Sequence, residues 1–181
     1  MQAHATHPLA HGHRRRRSLA WVIALIGIVV SGLSSLAGAA GTLEFEAKSE
    51  YSHYKVYRKG PIRSLIFVRD NGDELLQSQV NLDQPHDLQI PYNRFMFTSY
   101  ALQPAPQKAA IVGLGGGNMI HFLERYDPGL KIDVVEIDPA IVKVAQQYFG
   151  VKSTPNVNLI VADAVAYLDK TTEKYDVIYM D

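Results

Sequence analysis

The chain has 181 residues, with 18 basic and 18 acidic side chains and no cysteine. Without cysteine there is no disulfide framework, no cysteine nucleophile and no thiolate metal site. An apolar share of 47% beside 20% charged residues describes a globular chain with a sizeable core, not a disordered one. The zero net charge hides an asymmetry. Arg14, Arg15, Arg16 and Arg17 stand in an acid-free leader, and setting those four aside leaves 14 basic against 18 acidic residues. A mildly acidic body speaks against a nucleic-acid partner, which requires a basic footprint on phosphate.

Residues 1–17 are a polar tail holding His4, His7, His11 and His13, and a basic tail accounts for them more simply than a metal site does. Leu19 to Leu33 is almost purely apolar and runs into Ser34-Ser35-Leu36-Ala37-Gly38-Ala39-Ala40. A basic region, an apolar region and an Ala-x-Ala ending read as a secretory signal cleaved after Ala39 or Ala40. Residues 19–40 are also just long enough to span a bilayer as an uncleaved membrane anchor. Both readings keep the arginines in the cytoplasm and send the remainder to the periplasmic side. If a wrongly included upstream start accounts for the leader, the protein is cytoplasmic.

Residues 41–103 read as a small N-terminal β-domain followed by a helix. Tyr54–Tyr57 and Ser64–Val68 are apolar and β-branched, with Lys59-Gly60-Pro61 and Asp70-Asn71-Gly72-Asp73 as turns between strands. Three to four antiparallel strands ending near Val80 are expected. Pro91 to Leu102 then reads as one helix, with Phe95, Met96, Ser99 and Leu102 along its apolar stripe. Gln103-Pro104-Ala105-Pro106 is a linker.

Residues 104–181 alternate strand and helix. Ala109 to Val112 is a buried strand that breaks into Gly113, Gly115, Gly116 and Gly117, after which Asn118 can cap a helix with Met119, Phe122, Leu123 and Tyr126 on its inner face. Asp127-Pro128-Gly129 ends that helix. Ile132 to Ile137 is the second strand. Asp138 caps a helix with Pro139 at its first position, Gly150 stops it, and Ile141, Ala145, Tyr148 and Phe149 are its buried face. Val157 to Val161, Ala164 to Leu168 and Tyr175 to Met180 complete the series as strand, helix and strand. This pattern makes an α/β, Rossmann-like parallel sheet with right-handed crossovers. A doubly wound sheet needs strands on both sides of its first one, so four strands ending at Asp181 are expected to be a C-terminally truncated version of the fold.

Ligands of open α/β sheets bind at the carboxyl ends of the strands. Here those ends carry the Gly113–Gly117 loop, Glu136, Asp163 with Ala164, and Asp181. A strand that turns into a helix through glycines lets backbone N–H groups approach a ligand, and Glu136, 21 residues after Gly115, stands where an acid grips ribose hydroxyls. Each acid alone is as readily a helix cap as a ligand contact. Together they point to a nucleoside-bearing ligand. The dinucleotide fingerprint would place its third glycine where Asn118 stands, and no lysine with Ser/Thr follows the loop as in a P-loop. A sulfonium nucleoside, S-adenosylmethionine or a relative, suits the acidic surround, and no metal is called for.

These motifs resemble those of the spermidine synthase (polyamine aminopropyltransferase) family: Gly115-Gly116-Gly117-Asn118, Val135-Glu136-Ile137-Asp138, Ala162-Asp163-Ala164 and Tyr175-Asp176-Val177-Ile178-Tyr179-Met180-Asp181. Upstream, Ser49-Glu50-Tyr51 and Leu76-Gln77-Ser78 are similar to its N-terminal β-domain. The resemblance covers roughly residues 44–181. It implies a small β-domain packed on a Rossmann-like S-adenosylmethionine-dependent transferase fold, with decarboxylated S-adenosylmethionine between them and a small-molecule amine as acceptor. It implies that Gly113, Gly115, Gly116, Gly117 and Asn118 cradle the donor, Glu136 binds its ribose, Asp163 with Ala164 reads its adenine, and Gln77 lies over it. Asp181 becomes the catalytic acid that takes the attacking amine's proton, with Tyr92 beside the acceptor. A homodimer is left open.

Three departures stand out. Asn118 replaces the family's aspartate that contacts the aminopropyl amine, Tyr92-Asn93-Arg94 replaces Tyr-His-Glu, and the second aspartate of Asp-x-x-Asp lies beyond Asp181. The same features resemble the spermidine-synthase-like methyltransferases, so methyl transfer from intact S-adenosylmethionine is one alternative. A non-catalytic nucleoside-binding domain is another, favoured by export from the compartment where the donor is made.

Overall fold

The structure, a computed structural model, describes residues 41–181. The expected signal or anchor over residues 19–40, and the tail before it, lie outside the described residues. No helix among the described residues is long and apolar enough to cross a membrane.

The first sheet contains β1 (Thr42–Lys48), β2 (His53–Lys59), β3 (Ile62–Val68) and β4 (Glu74–Asn81), antiparallel in the order β1-β2-β3-β4. Alternation sends Tyr54, Val56, Leu65, Ser78 and Val80 to the buried face. The β3–β4 register jumps from Leu65↔Ser78 to Ile66↔Leu76, so Gln77 is the extra residue of a β-bulge. Bulges re-aim side chains next to sites.

The expected helix over Pro91 to Leu102 is two pieces: α1 (Pro91–Met96), then a 3₁₀ turn over Phe97–Ala101. The tighter winding rotates the inner face. Phe95 and Leu102 of the expected stripe are 73% and 90% exposed, while Met96, Phe97 and Tyr100 pack on the core. Phe97 stacks on Phe122 with ring centres 4.2 Å apart, and the Tyr100 hydroxyl donates to Asp127 at 2.8 Å.

The second sheet is parallel, in the order β7-β6-β5-β8. It is built from β5 (Lys108–Val112), α2 (Asn118–Tyr126), β6 (Lys131–Glu136), α3 (Pro139–Tyr148), β7 (Val157–Val161), α4 (Ala164–Lys170) and β8 (Val177–Met180). β5 and β6 are continuous apolar runs, as strands covered on both faces must be. The exception is Asp133, a buried carboxylate held by Lys108 at 2.9 Å, Tyr175 at 2.8 Å and Asn158 at 3.1 Å. Burial alone would raise its pKa, but these hydrogen bonds and the Lys108 charge hold it below the usual carboxylate value. Strand order puts the ends of all four strands along one edge, and the candidate site residues gather there.

Candidate functional site

The cradle is held by backbone. Gly113 N–H donates to the Val135 carbonyl at 2.9 Å, which fixes the loop against β6. Leu114 N–H donates to Glu136 Oε2 and Asp138 N–H to Oε1, both at 2.9 Å. The carboxylate is thus fastened at both oxygens, and each keeps a further lone pair for a ligand hydroxyl.

The glycines do more packing than the sequence suggests. A Cβ on Gly116 would lie 2.8 Å from Ser78 Oγ and 3.0 Å from Phe149 Cδ1. One on Gly117, at φ +75°, would lie 2.3 Å from Val151 Cγ2. Both glycines therefore admit the protein's own β4 and α3 end to the loop. Gly113 faces the backbone carbonyl of Asp181, 2.9 Å from where its Cβ would be.

Asn118 departs from expectation twice. Gly117, not Asn118, holds the N-cap position of α2, and no side chain caps it. The Asn118 amide is 4% exposed; Oδ1 accepts from Ser78 Oγ and Nδ2 donates to the Gln79 carbonyl. Its side chain faces β4. Asp138, in contrast, caps α3 as expected through Ala140 N–H at 2.8 Å. Its other oxygen accepts from Ser49 and Ser52 of the β1–β2 turn.

Asp163 is exposed and caps α4 through Ala166 N–H at 2.8 Å, with Ala164 as the first helical residue. Beside it opens a shallow cleft of about 390 Å³ lined by Ala162, Asp163, Ala166 and Tyr167. Ile137 and Val161, at the ends of β6 and β7, and Val165 in the first turn of α4 are exposed.

Asp181 joins the loop through its backbone, donating N–H to the Val112 carbonyl at 3.0 Å, and Oδ1 accepts from the Tyr92 hydroxyl at 2.7 Å. Burial, then the hydrogen bond to Asp181 and its charge, push the Tyr92 phenol up to about 12, so it stays a proton donor at neutral pH. Next to Tyr92, the Oδ1 of buried Asn93 has no hydrogen-bond partner. Gln77 is exposed and lines a concavity of about 730 Å³ with Ser49, Tyr51, Leu75 and Arg69. The structure brings Gly113, Glu136 and Asp138 together, and Tyr92 with Asp181 beside Gly113. No hydrogen bond ties Gln77 or Asp163 to either group. Among the described residues no cluster of three or more His, Cys, Asp or Glu is arranged to hold a metal ion.

A parallel sheet with a glycine loop after its first strand, packed on a small antiparallel sheet, is a Rossmann-like α/β arrangement. Residues 94–181 match the spermine/spermidine synthase domain. The chain is 28% identical over 163 residues to the polyamine aminopropyltransferase of Vibrio vulnificus, covering 88% of this chain and 54% of that one. With the enzyme of the same name from Neisseria meningitidis it shares 31% over 137 residues, 75% of this chain and 51% of that one. The chain thus spans about half the length of these curated relatives. The structure of a probable spermidine synthase from Corynebacterium glutamicum superposes with a TM-score of 0.66 at 24% identity, over 76% of this chain and 51% of that one, and supports the fold.

Proposed function

We propose that the protein is an aminopropyltransferase of the spermidine synthase type, moving an aminopropyl group from decarboxylated S-adenosylmethionine to a small polyamine acceptor. The observation that carries this reading is Asp181 at the strand end beside Gly113, with Tyr92 on one of its oxygens. Its Oδ2 has no donor among the described residues and suits the proton of an incoming ammonium. An amine is a nucleophile only after losing that proton.

The donor supplies a carbon activated by its sulfonium. Glu136, fastened by the Leu114 and Asp138 N–H groups, holds the ribose. Asp181 accepts the amine proton as the new N–C bond forms and the C–S bond breaks, its electron pair passing to sulfur. Tyr92 keeps the carboxylate aimed. The rest of the rate comes from alignment of the two reactants. In the same reading residues 19–40 serve as signal or anchor; sequencing the mature N-terminus tests that part, with a start near Ala40 expected for a cleaved signal.

The test of the activity is incubation of the full chain with decarboxylated S-adenosylmethionine and putrescine, followed by mass spectrometry. Spermidine and 5′-methylthioadenosine in equal amounts are expected. A methylated acceptor from intact S-adenosylmethionine, with no aminopropyl product, would overturn the proposal in favour of a methyltransferase. One observation favours that second reading: with the Asn118 amide bound to β4, the loop presents no carboxylate to an aminopropyl ammonium.

A further inference from the structure

We infer that Asn118 is a positioning residue, which with Ser78 locks strand β4 onto the glycine loop and shapes the cradle without touching the donor's tail. The inference rests on the donor reading above. Asn118 is buried, and both ends of its amide are engaged, Oδ1 by the Ser78 hydroxyl and Nδ2 by the Gln79 carbonyl. Ser78 is buried as well. Its Oγ lies 3.5 Å from the Cβ position of Gly115 and 2.8 Å from that of Gly116. The hydroxyl is therefore wedged between the amide and the backbone of the loop.

Two consequences follow from this geometry. The loop cannot open unless β4 moves, so the antiparallel sheet helps set the cradle's width. Gln77, the bulged residue directly before Ser78, is held beside the large concavity by the same lock. The amide is also chemically required. Aspartate at this position would bring acceptor lone pairs against the Gln79 carbonyl and leave a buried charge with the Ser78 hydroxyl as its one donor among the described residues. Strand β4 therefore accounts for an amide at the position where the family motif has a carboxylate. The loop is pinned on one side by this pair, while Asp138 pins the neighbouring strand end to Ser49 and Ser52.

The experiment compares three probes by calorimetry on the full chain: 5′-methylthioadenosine, which lacks the charged tail, intact S-adenosylmethionine and its decarboxylated form. Ser78→Ala is expected to weaken all three by one common factor, roughly 3- to 10-fold, because it loosens the shared cradle. Asn118→Asp is expected to weaken all three by a larger common factor and to leave the ratio of the two charged donors unchanged. A Asn118→Asp protein that binds methylthioadenosine normally and shifts its preference between the charged donors would overturn the inference. So would Ser78→Ala with unchanged affinity for every probe, and that variant decides alone if Asn118→Asp does not fold. Wild-type protein that binds none of the three would overturn the donor reading itself and this inference with it. With a wild type that binds, a variant that weakens the three probes by unequal factors would overturn the inference alone.

Discussion

The proposed nucleoside side, at Glu136, and the proposed acceptor side, at Asp181, are built differently. Glu136 is fastened at both oxygens by backbone N–H groups, from Leu114 in the loop and Asp138 in its own strand end. Tyr92 and Asp181, 89 residues apart, meet through one side-chain hydrogen bond, and Tyr92 is 46% exposed. A group held by backbone takes its place from the fold. A group held by another side chain depends on that partner's identity and on a long-range docking of α1 against β8. The nucleoside side should therefore fail when the fold is disturbed, and the acceptor side when single functional groups are changed.

The largest effect is expected at Gly117. Alanine there must adopt φ +75° with its Cβ 2.3 Å from Val151. Overpacking and the left-handed conformation together should cost about 2–5 kcal/mol. Urea unfolding should show this loss together with weaker methylthioadenosine binding; unchanged stability would mean the loop is not packed as described. On the acceptor side, Asp181→Asn should lower kcat by roughly 100-fold or more, the scale of a general base. Methylthioadenosine affinity should stay the same, and a parallel loss of affinity would assign Asp181 to the donor instead. Tyr92→Phe should be milder, about tenfold in kcat, because it removes only the hydrogen bond that aims the carboxylate.

The smallest expected effect is a pH dependence of stability from His121. Its Nε2 bonds the Phe149 carbonyl at 2.8 Å, and because a carbonyl only accepts, that nitrogen carries the proton. Burial pushes the imidazole below its ordinary value of 6.5, although the Phe149 bond and the Glu124 charge act the other way. The unfolded chain then binds the proton more readily, so this contribution is fully present above about pH 6.5 and is lost as pH falls toward the folded pKa. The melting temperature should drop between pH 7 and pH 5.5, and His121→Gln should flatten that slope. An identical slope in the variant would assign the titration elsewhere.

Much of this contrast was legible in the sequence. Each parallel strand and its helix follow from an apolar run and a local stop signal such as Pro139 or Gly150, so the four strand ends and their acids could be placed by counting. What could not be read depended on contacts between distant segments. The Ser78–Asn118 pair spans 40 residues, and nothing local marks Asn118 as facing β4. The break between α1 and the 3₁₀ turn is set by the seating of Phe97 on Phe122 and Tyr179, which an apolar stripe alone does not reveal. The roles of Gly116 and Gly117 were visible as glycine but not as packing, because the side chains they admit come from β4 and from the segment after α3.

The central claim is that the ends of β5 and β6 form one nucleoside site with Glu136 as its anchor. Calorimetric titration of the full chain with 5′-methylthioadenosine, beside the same titration of Glu136→Ala, tests it most directly. Saturable one-to-one binding by the wild type, lost by roughly 100-fold in the variant, is the expected result for a ligand diol deprived of its charged acceptor. Equal affinity in the two proteins, with both correctly folded, would contradict the account.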